Sequence, residues 1–166
     1  MLACLLALIL SPYAYSQTCN DKIVKSAPDE RFINNDDETV SDIKTGLMWQ
    51  QCVAGTSGMA CSPGTGRTKT WDTALQYPET LNSSGGFSGY TDWRLPNIKE
   101  LESLIEVACY GPAANNIAFS AFGNRVWFWS SSPATWASSW GILFDTGRTI
   151  RSSRSALGYV RLVRDI

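Results

Sequence analysis

The chain has 166 residues, of which 44% are hydrophobic and 17% are charged, and its formal net charge is -1. This length predicts a single domain that can bury a core. The near-zero net charge gives no general attraction to nucleic acid. Histidine is absent from the sequence, and it is the commonest general base and metal ligand. We therefore expect no catalytic activity, no cofactor and no metal site.

The first residues have the pattern of an export signal. Leu2 to Leu10 form an unbroken apolar run that is too short to span a bilayer, and Ala14-Tyr15-Ser16 supplies a small-x-small cleavage pattern. We interpret residues 1–16 as a signal peptide, which predicts a secreted, periplasmic or cell-surface protein without membrane insertion after signal removal. Two alternatives stay open: lipidation at Cys4, and a cytosolic protein that buries this segment.

Four cysteines follow the predicted signal. An even number in an exported chain predicts disulfides, with three possible connectivities. Cys52 and Cys61 bracket a short Gly- and Ser-rich segment, so their pairing would close one loop. Cys19 and Cys109 would then tie an N-terminal arm, residues 17–30, to the end of the central helix. Zinc is the alternative, but the spacings contain no paired C-x-x-C set.

The central stretch, Tyr90 to Ala108, is an extended segment followed by a helix. Pro96 disfavours a helical conformation at the residue before it. Asn97 and Glu100 match a capping box, so the helix is expected to begin at Ile98. The helix is predicted to run to Ala108 because apolar residues recur at helical spacing on one face: Leu101, Leu104, Ile105 and Ala108.

The remaining elements are mostly short strands. Hydrophobic patterns bounded by turn residues predict two hairpins and later strands. A shorter helix is expected from Trp71 to Tyr77, capped by Thr70 and ended or kinked by Pro78. Tyr110 to Arg125 is predicted to be a long surface loop. The predicted strands are 31–33, 39–42, 47–50, 126–130, 140–144, 148–151 and 159–164.

Five short motifs, which lie in three stretches of the sequence, carry a family resemblance. D-W-R-L-P-x-x-x-E-L at 92–101, read with Thr39 to Trp49 and Tyr159 to Arg164, resembles the Lcl C-terminal domain family. The resemblance implies an α+β, C-type-lectin-like domain over residues 31–166, of the formylglycine-generating-enzyme type. Short antiparallel strands, two packed helices and long loops would build it. The related oxidase uses a late cysteine pair, and no cysteine follows Cys109 here, so that chemistry does not carry over.

The resemblance implies a structural role for most motif residues. Tryptophans at motif positions are expected in the core. The two closing arginines are expected to pair with carboxylates such as Asp92 or Asp165. The motif residues to which we assign structural roles are Trp49, Trp71, Trp93, Arg94, Pro96, Glu100, Trp129, Trp140, Arg161 and Arg164.

Other aromatic and basic residues are candidates for ligand binding. Trp127 should point away from Phe128 in a strand, and Trp136 lies among loop-forming residues. Exposed aromatic rings beside hydroxyls suit sugars, whereas arginines hold sulfate or carboxylate. Both tryptophans could instead pack under the long loop. The predicted ligand-binding residues are Trp127, Trp136, Arg148, Arg151 and Arg154.

These observations favour an adhesin-like binding module over an enzyme. Its expected partner is an extracellular glycan, including a sulfated one, or a surface protein. Two alternatives stay open: a structural module of a larger envelope assembly, and an enzyme with a pocket of carboxylates and tyrosines. The sequence leaves the oligomeric state and calcium binding at the acidic turn, residues 34–38, undecided.

Overall fold

The computed structural model describes residues 17–56, 61, 68–119 and 127–166. The predicted signal peptide therefore lies outside the described residues, as does half of the segment that Cys52 and Cys61 bracket, residues 57–60. The strands in the described part are β1 (Thr18–Cys19), β2 (Phe32–Asn34), β3 (Thr39–Asp42), β4 (Leu47–Gln50), β5 (Cys109–Tyr110), β6 (Trp127–Pro133), β7 (Ser138–Leu143), β8 (Arg148–Ser153) and β9 (Val163–Asp165). The helices are α1 (Trp71–Ser83) and α2 (Ile98–Glu102).

The described strands form three antiparallel sheets. The orders are β1-β5, β2-β3-β4-β9 and β6-β7-β8. The predicted α+β class, with mostly antiparallel strands and two helices, is confirmed. The closing segment adds only β9 to the second sheet, where Val163 pairs with Trp49.

Strand β6 separates two parts of the hydrophobic core. Successive side chains of a strand point to opposite faces. Phe128 accordingly packs into a cluster that holds Trp49 and Leu101. Trp129 packs into a second cluster, together with Trp71 and Trp93. Because β6 is packed on both faces, it anchors the β6-β7-β8 sheet to the core.

Helix α1 is longer than predicted. Thr70 caps it, as expected, by accepting from the Thr73 N–H. The helix then continues through Pro78 and ends at Ser83. Pro78 is buried, so its ring gains packing where the backbone loses a hydrogen bond. Asn82 attaches the last turn of this helix to the segment before α2. Its side chain accepts from the Trp93 N–H at 3.2 Å and donates to the Trp93 carbonyl at 2.8 Å.

Helix α2 is shorter than predicted. The capping box is confirmed: Asn97 Oδ1 accepts from the Glu100 N–H at 2.9 Å, and Glu100 Oε2 accepts from the Asn97 N–H at 2.8 Å. The helix nevertheless ends at Glu102, and the prediction that it runs to Ala108 is wrong.

A carboxylate explains why the chain leaves the helix. Glu106 is buried, and its side chain accepts from the backbone N–H groups of Ser26 (3.2 Å), Ala27 (2.7 Å) and Ala108 (2.8 Å). Its own N–H donates to the Ala113 carbonyl at 3.1 Å rather than to the preceding turn. Glu106 thus binds the arm to this segment, and continuing the helix would break these bonds.

The segment after Cys109 is not wholly a surface loop. Four of its residues are buried, and Phe119 contacts Phe32 with ring centroids 5.3 Å apart. Residues 120–125 of the predicted loop lie outside the described part. The loop prediction is therefore wrong for the buried residues, which are Ala113, Ala114, Asn115 and Phe119.

Two disulfides confirm the predicted cysteine pairing. Cys19 bonds to Cys109, and Cys52 bonds to Cys61. The first joins β1 to β5, so the arm is held both by this bond and by Glu106. Among the described residues, no helix is long and apolar enough to cross a membrane.

Candidate binding surface on the β6–β8 sheet

The structure does not bring the five predicted ligand-binding residues together. Trp127 pairs with Leu143, and Leu143 pairs with Arg148, so Trp127 and Arg148 lie at one end of the sheet. Trp136 occupies the β6–β7 turn at the other end, where Arg154 follows β8. At about 3.3 Å per residue, the length of β8 puts roughly 20 Å between the two ends.

Trp127 belongs to the packed interior. It is partly buried against the second core cluster, and its ring lies 4.4 Å from that of Trp129 in an edge-to-face contact. The ring also covers Gly158: a Cβ at that position would lie 2.7 Å from Trp127 Cη2. Trp127 does point away from Phe128, as predicted, but its surroundings favour a structural role over ligand binding.

Trp136 is presented to solvent on a well-braced turn. Its exposed fraction is 90%. The N–H groups of Ala134 and Thr135 both donate to the Ser138 carbonyl at 3.0 Å, and the hydroxyls of Thr135 and Ser138 lie 2.6 Å apart. A braced turn loses little conformational freedom on binding. Trp136 therefore has the setting of a preorganised contact residue.

Arg154 stabilises this end of the sheet through three side-chain contacts. Its guanidinium carbon lies 4.1 Å from the centroid of the Trp71 ring. Its Nε donates to Ser139 Oγ at 3.2 Å, and its Nη2 donates to the Thr135 carbonyl at 3.0 Å. Because the guanidinium is already engaged, Arg154 positions the turn more than it offers charge to a ligand.

The prediction that the motif tryptophans lie in the core is wrong for Trp140. Trp71, Trp93 and Trp129 are buried as expected, but Trp140 is only partly buried. It shares a face of β7 with Ile142, which is fully buried in the first cluster. Strand β7 continues beyond the area that this cluster covers, so the Trp140 side chain keeps an exposed edge.

Trp140 has a charged neighbour across the strands. It is registered opposite Arg151, and the next pair on the same face is Ser138 opposite Ser153. Directly opposed side chains have Cβ atoms about 4.5–5.5 Å apart. Arg151 is exposed and forms no ion pair within the described residues. We call this set the outer corner: Trp136, Ser138, Trp140, Arg151 and Ser153.

Sequence reasoning found only part of the outer corner. It included Trp136 and Arg151 but assigned Trp140 to the core and omitted both serines. The alternation of Ser138 and Trp140 was visible in the sequence, whereas their pairing with Ser153 and Arg151 depends on the strand register. Arg148 lies three positions from Arg151 on β8, so its side chain points from the opposite face of the strand and lies outside the corner.

The motif arginines have structural roles. Arg164 Nε binds Asp92 at 2.7 Å, as predicted, and the bond from Arg164 holds the pKa of Asp92 below its usual value. Asp165 binds Arg94, which also binds Glu100. Arg161 is buried, and burial lowers its pKa to about 9.

Arg161 contacts the main chain. It donates to the carbonyls of Gln50, at 2.9 Å, and Gln51. It therefore binds the end of β4 rather than facing a ligand.

Hydrogen bonds within the acidic turn, residues 34–38, give Asp37 a structural role. Asp37 Oδ1 accepts from the N–H of Thr39 at 3.0 Å and from its hydroxyl at 2.5 Å. Across the described ranges, no group of three or more Cys, Asp or Glu side chains is arranged to hold a metal ion. Asp37 therefore stabilises the turn before β3.

Comparison with known proteins places the chain in a family. A search of curated proteins finds no significant match. The family model of the Lcl C-terminal domain matches residues 38–164, from the turn before β3 to the last strand. The match covers well over half of the sequence and includes the words that carried the resemblance. The chain therefore belongs to the Lcl C-terminal domain family.

Proposed function

We propose that this chain is an exported, non-catalytic binding module, adhesin-like, that recognises an anionic glycan through the outer corner. The observation that carries the proposal is Trp136, which is 90% exposed on the hydrogen-bonded turn that leads into β7, the strand that carries the partly exposed Trp140. An indole kept in water contributes little to folding, whereas it is a strong contact for a ligand.

The chemistry of the corner suits a sugar with an acidic group. The faces of Trp136 and Trp140 can stack on sugar C–H groups. The hydroxyls of Ser138 and Ser153 can exchange hydrogen bonds with sugar hydroxyls. Arg151 can hold a sulfate or carboxylate by two parallel bonds. A surface protein with an acidic patch is the other partner that this chemistry allows.

Export is supported by the cysteines. Both disulfides join residues of the mature domain, and such bonds persist in oxidising compartments. The absence of histidine weighs against catalysis. These two observations motivate the secreted, non-enzymatic assignment.

Retention on immobilised heparin tests the anionic part of the proposal. Arg151→Ser should elute at lower salt than the wild type, because exposed charge contacts are screened within about 10 Å at 0.1 M salt. Arg148→Ser is the matched control: it also removes an exposed arginine from β8, but from the other face and end. Equal shifts for the two variants would indicate unspecific attraction and contradict the corner.

Trp136→Ala separates stacking from charge. It should weaken retention and calorimetric affinity for heparin at every salt concentration, since stacking is little screened. A wild type that passes heparin unretained at low salt would refute the anionic glycan. A glycan array would then test neutral sugars, and cell binding that survives enzymatic removal of glycans would favour a surface protein.

A further inference from the structure

Strand β8 is an open edge of the β6-β7-β8 sheet. The sheet order places β6 and β8 at its two sides. The outer side of β6 is occupied: Trp129 donates its N–H to the Tyr159 carbonyl at 2.9 Å, and Ser131 donates to the Pro96 carbonyl at 2.8 Å. Among the described residues, no strand or isolated bridge pairs with the outer side of β8. The backbone of β8 is therefore accessible to a further strand.

The strand register identifies which backbone groups of β8 point outward. Arg154 donates its N–H toward β7, to the Ala137 carbonyl, at 3.1 Å. Successive residues of an antiparallel strand direct their backbone groups alternately to one side and the other. Thr149, Arg151 and Ser153 therefore direct theirs away from β7, and all three are exposed. The Ser153 carbonyl accepts a bond from the turn after β8, but the N–H and C=O of Thr149 and Arg151 have no backbone partner within the described ranges.

Two arginines determine which kind of strand can pair with this edge. Arg148 and Arg151 are exposed, and neither forms an ion pair with another described residue. Glu102, which accepts from the Thr149 hydroxyl at 2.8 Å, is already bound to Lys99. The edge therefore has an excess of positive charge, which attracts an acidic segment and repels a basic one.

The same charge disfavours a second copy of the chain as the partner. A symmetric contact between two β8 edges, centred on Arg151 or on Ile150, places the two Arg151 side chains directly opposite or diagonal to each other. Like charges in these positions oppose pairing, and charged residues at sheet edges commonly prevent self-association in this way. Carboxylates at the opposed positions would remove the repulsion.

We propose that β8 binds an extended acidic segment of a partner protein, which adds a strand to the sheet through main-chain hydrogen bonds to Thr149 and Arg151. Directly opposed side chains lie on the same face of a sheet. Because Arg148 and Arg151 are three positions apart, the carboxylates of the segment should also be three positions apart, one opposite each arginine. The proposal does not rest on glycan binding, with which it shares only Arg151.

A capped peptide of valine and threonine with two glutamates three positions apart tests the site. At millimolar concentration it should slow hydrogen exchange at the Thr149 and Arg151 amides of the ¹⁵N-labelled domain, because their N–H groups gain an acceptor. Exchange at Ile150, whose N–H points to β7, should change less. A control peptide with lysine in place of both glutamates should leave these amides unprotected.

Three variants separate this edge from the outer corner. Thr149→Pro removes an outward N–H, which an edge strand tolerates, and should abolish peptide binding without changing heparin retention. Thr149→Val is its matched control, because it loses the bond to Glu102 but keeps the N–H, and it should bind the peptide like the wild type. Arg148→Ser should weaken peptide binding about threefold, as expected for an exposed ion pair, without the change in heparin elution expected of Arg151→Ser.

Absence of protection by the glutamate peptide would overturn the proposal, and so would equal protection by the lysine peptide or binding that survives in Thr149→Pro. Shifts of the Thr149 and Arg151 amides on dilution of the domain alone would assign the edge to a second copy and also contradict it. Peptide binding that persists when the domain passes heparin unretained would support this proposal and refute the glycan alone. The peptide comparison and Arg148→Ser do not require Thr149→Pro to fold.

Discussion

The buried ion pair between Arg31 and Asp42 offers the sharpest test of how the arm is attached. Arg31 is 5% exposed, and Asp42 is fully buried. Arg31 Nε donates to Asp42 Oδ1 at 2.7 Å, its Nη2 contacts Oδ2, and its Nη1 donates to the Ser103 carbonyl at 2.9 Å. Arg31 directly follows the arm and also donates to the Ser26 carbonyl within it at 3.2 Å. The pair therefore joins the arm to β3 and to the turn after α2.

Asp42→Ala should lower the free energy of unfolding by about 3–5 kcal/mol, because it leaves a buried guanidinium without its carboxylate. The Thr45 hydroxyl, which donates to Asp42 Oδ2 at 2.6 Å, loses its acceptor as well. Arg31→Met combined with Asp42→Ala should cost less than the sum of the single changes, since neither charge then remains buried. We expect a coupling of more than about 2 kcal/mol.

Urea denaturation of the wild type, both single variants and the double variant measures this cycle. The pH dependence supplies a second readout. Burial alone would raise the pKa of Asp42, but hydrogen bonds from Arg31 and Thr45 outweigh it and hold the pKa below its ordinary value of 3.8. The stabilisation is therefore present above about pH 3.8 and is lost as the pH falls through the lower folded-state pKa. Additive single changes, or an unchanged acid limb in the double variant, would refute the reasoning.

The contacts lead to three further predictions, which concern the arginines of the β6–β8 sheet, the disulfides and Gly158. Arg154→Ser should lower the free energy of unfolding by about 1–2 kcal/mol in urea, through the lost Trp71 stack and hydrogen bonds, whereas Arg151→Ser should change it by less than about 0.5 kcal/mol. Removing Cys19–Cys109 by paired Ala substitutions should cost about 5 kcal/mol and removing Cys52–Cys61 about 3 kcal/mol, since the closed loops span 90 and 9 residues; equal costs would contradict the chain-entropy argument. Gly158→Ala should displace the Trp127 ring and cost about 1–3 kcal/mol, visible as a changed near-ultraviolet circular dichroism spectrum.

Local chemistry made several elements predictable. Turn residues between alternating strands gave β2, β3 and β4 nearly to the residue, and Asn97 with Glu100 gave the start of α2. The short bracketed segment gave the cysteine pairing. These features depend on neighbours in sequence. The C-type-lectin-like relationship stays a prediction.

Long-range contacts explain the errors. Leu101, Leu104 and Ala108 have helical spacing, and all three are buried, but only Leu101 lies in α2. Irregular backbone buries Leu104 and Ala108, because Glu106 binds the distant arm. Phe119 is buried within a composition typical of a surface loop.

The outer corner was only partly predictable for the same reason. The sequence indicates that Trp140 shares a face of β7 with Ile142, but it does not show how far the first core cluster extends along that face. The pairing of Trp140 with Arg151 depends on the β7–β8 register.

A titration of the ¹⁵N-labelled domain with a heparin-derived oligosaccharide tests the central claim most directly, because it locates the ligand on the surface. We predict that the largest amide shifts fall in two segments, 135–140 and 151–155, with a shifted indole N–H of Trp136. Shifts centred on Trp127 and Arg148, at the other end of the sheet, would contradict the account.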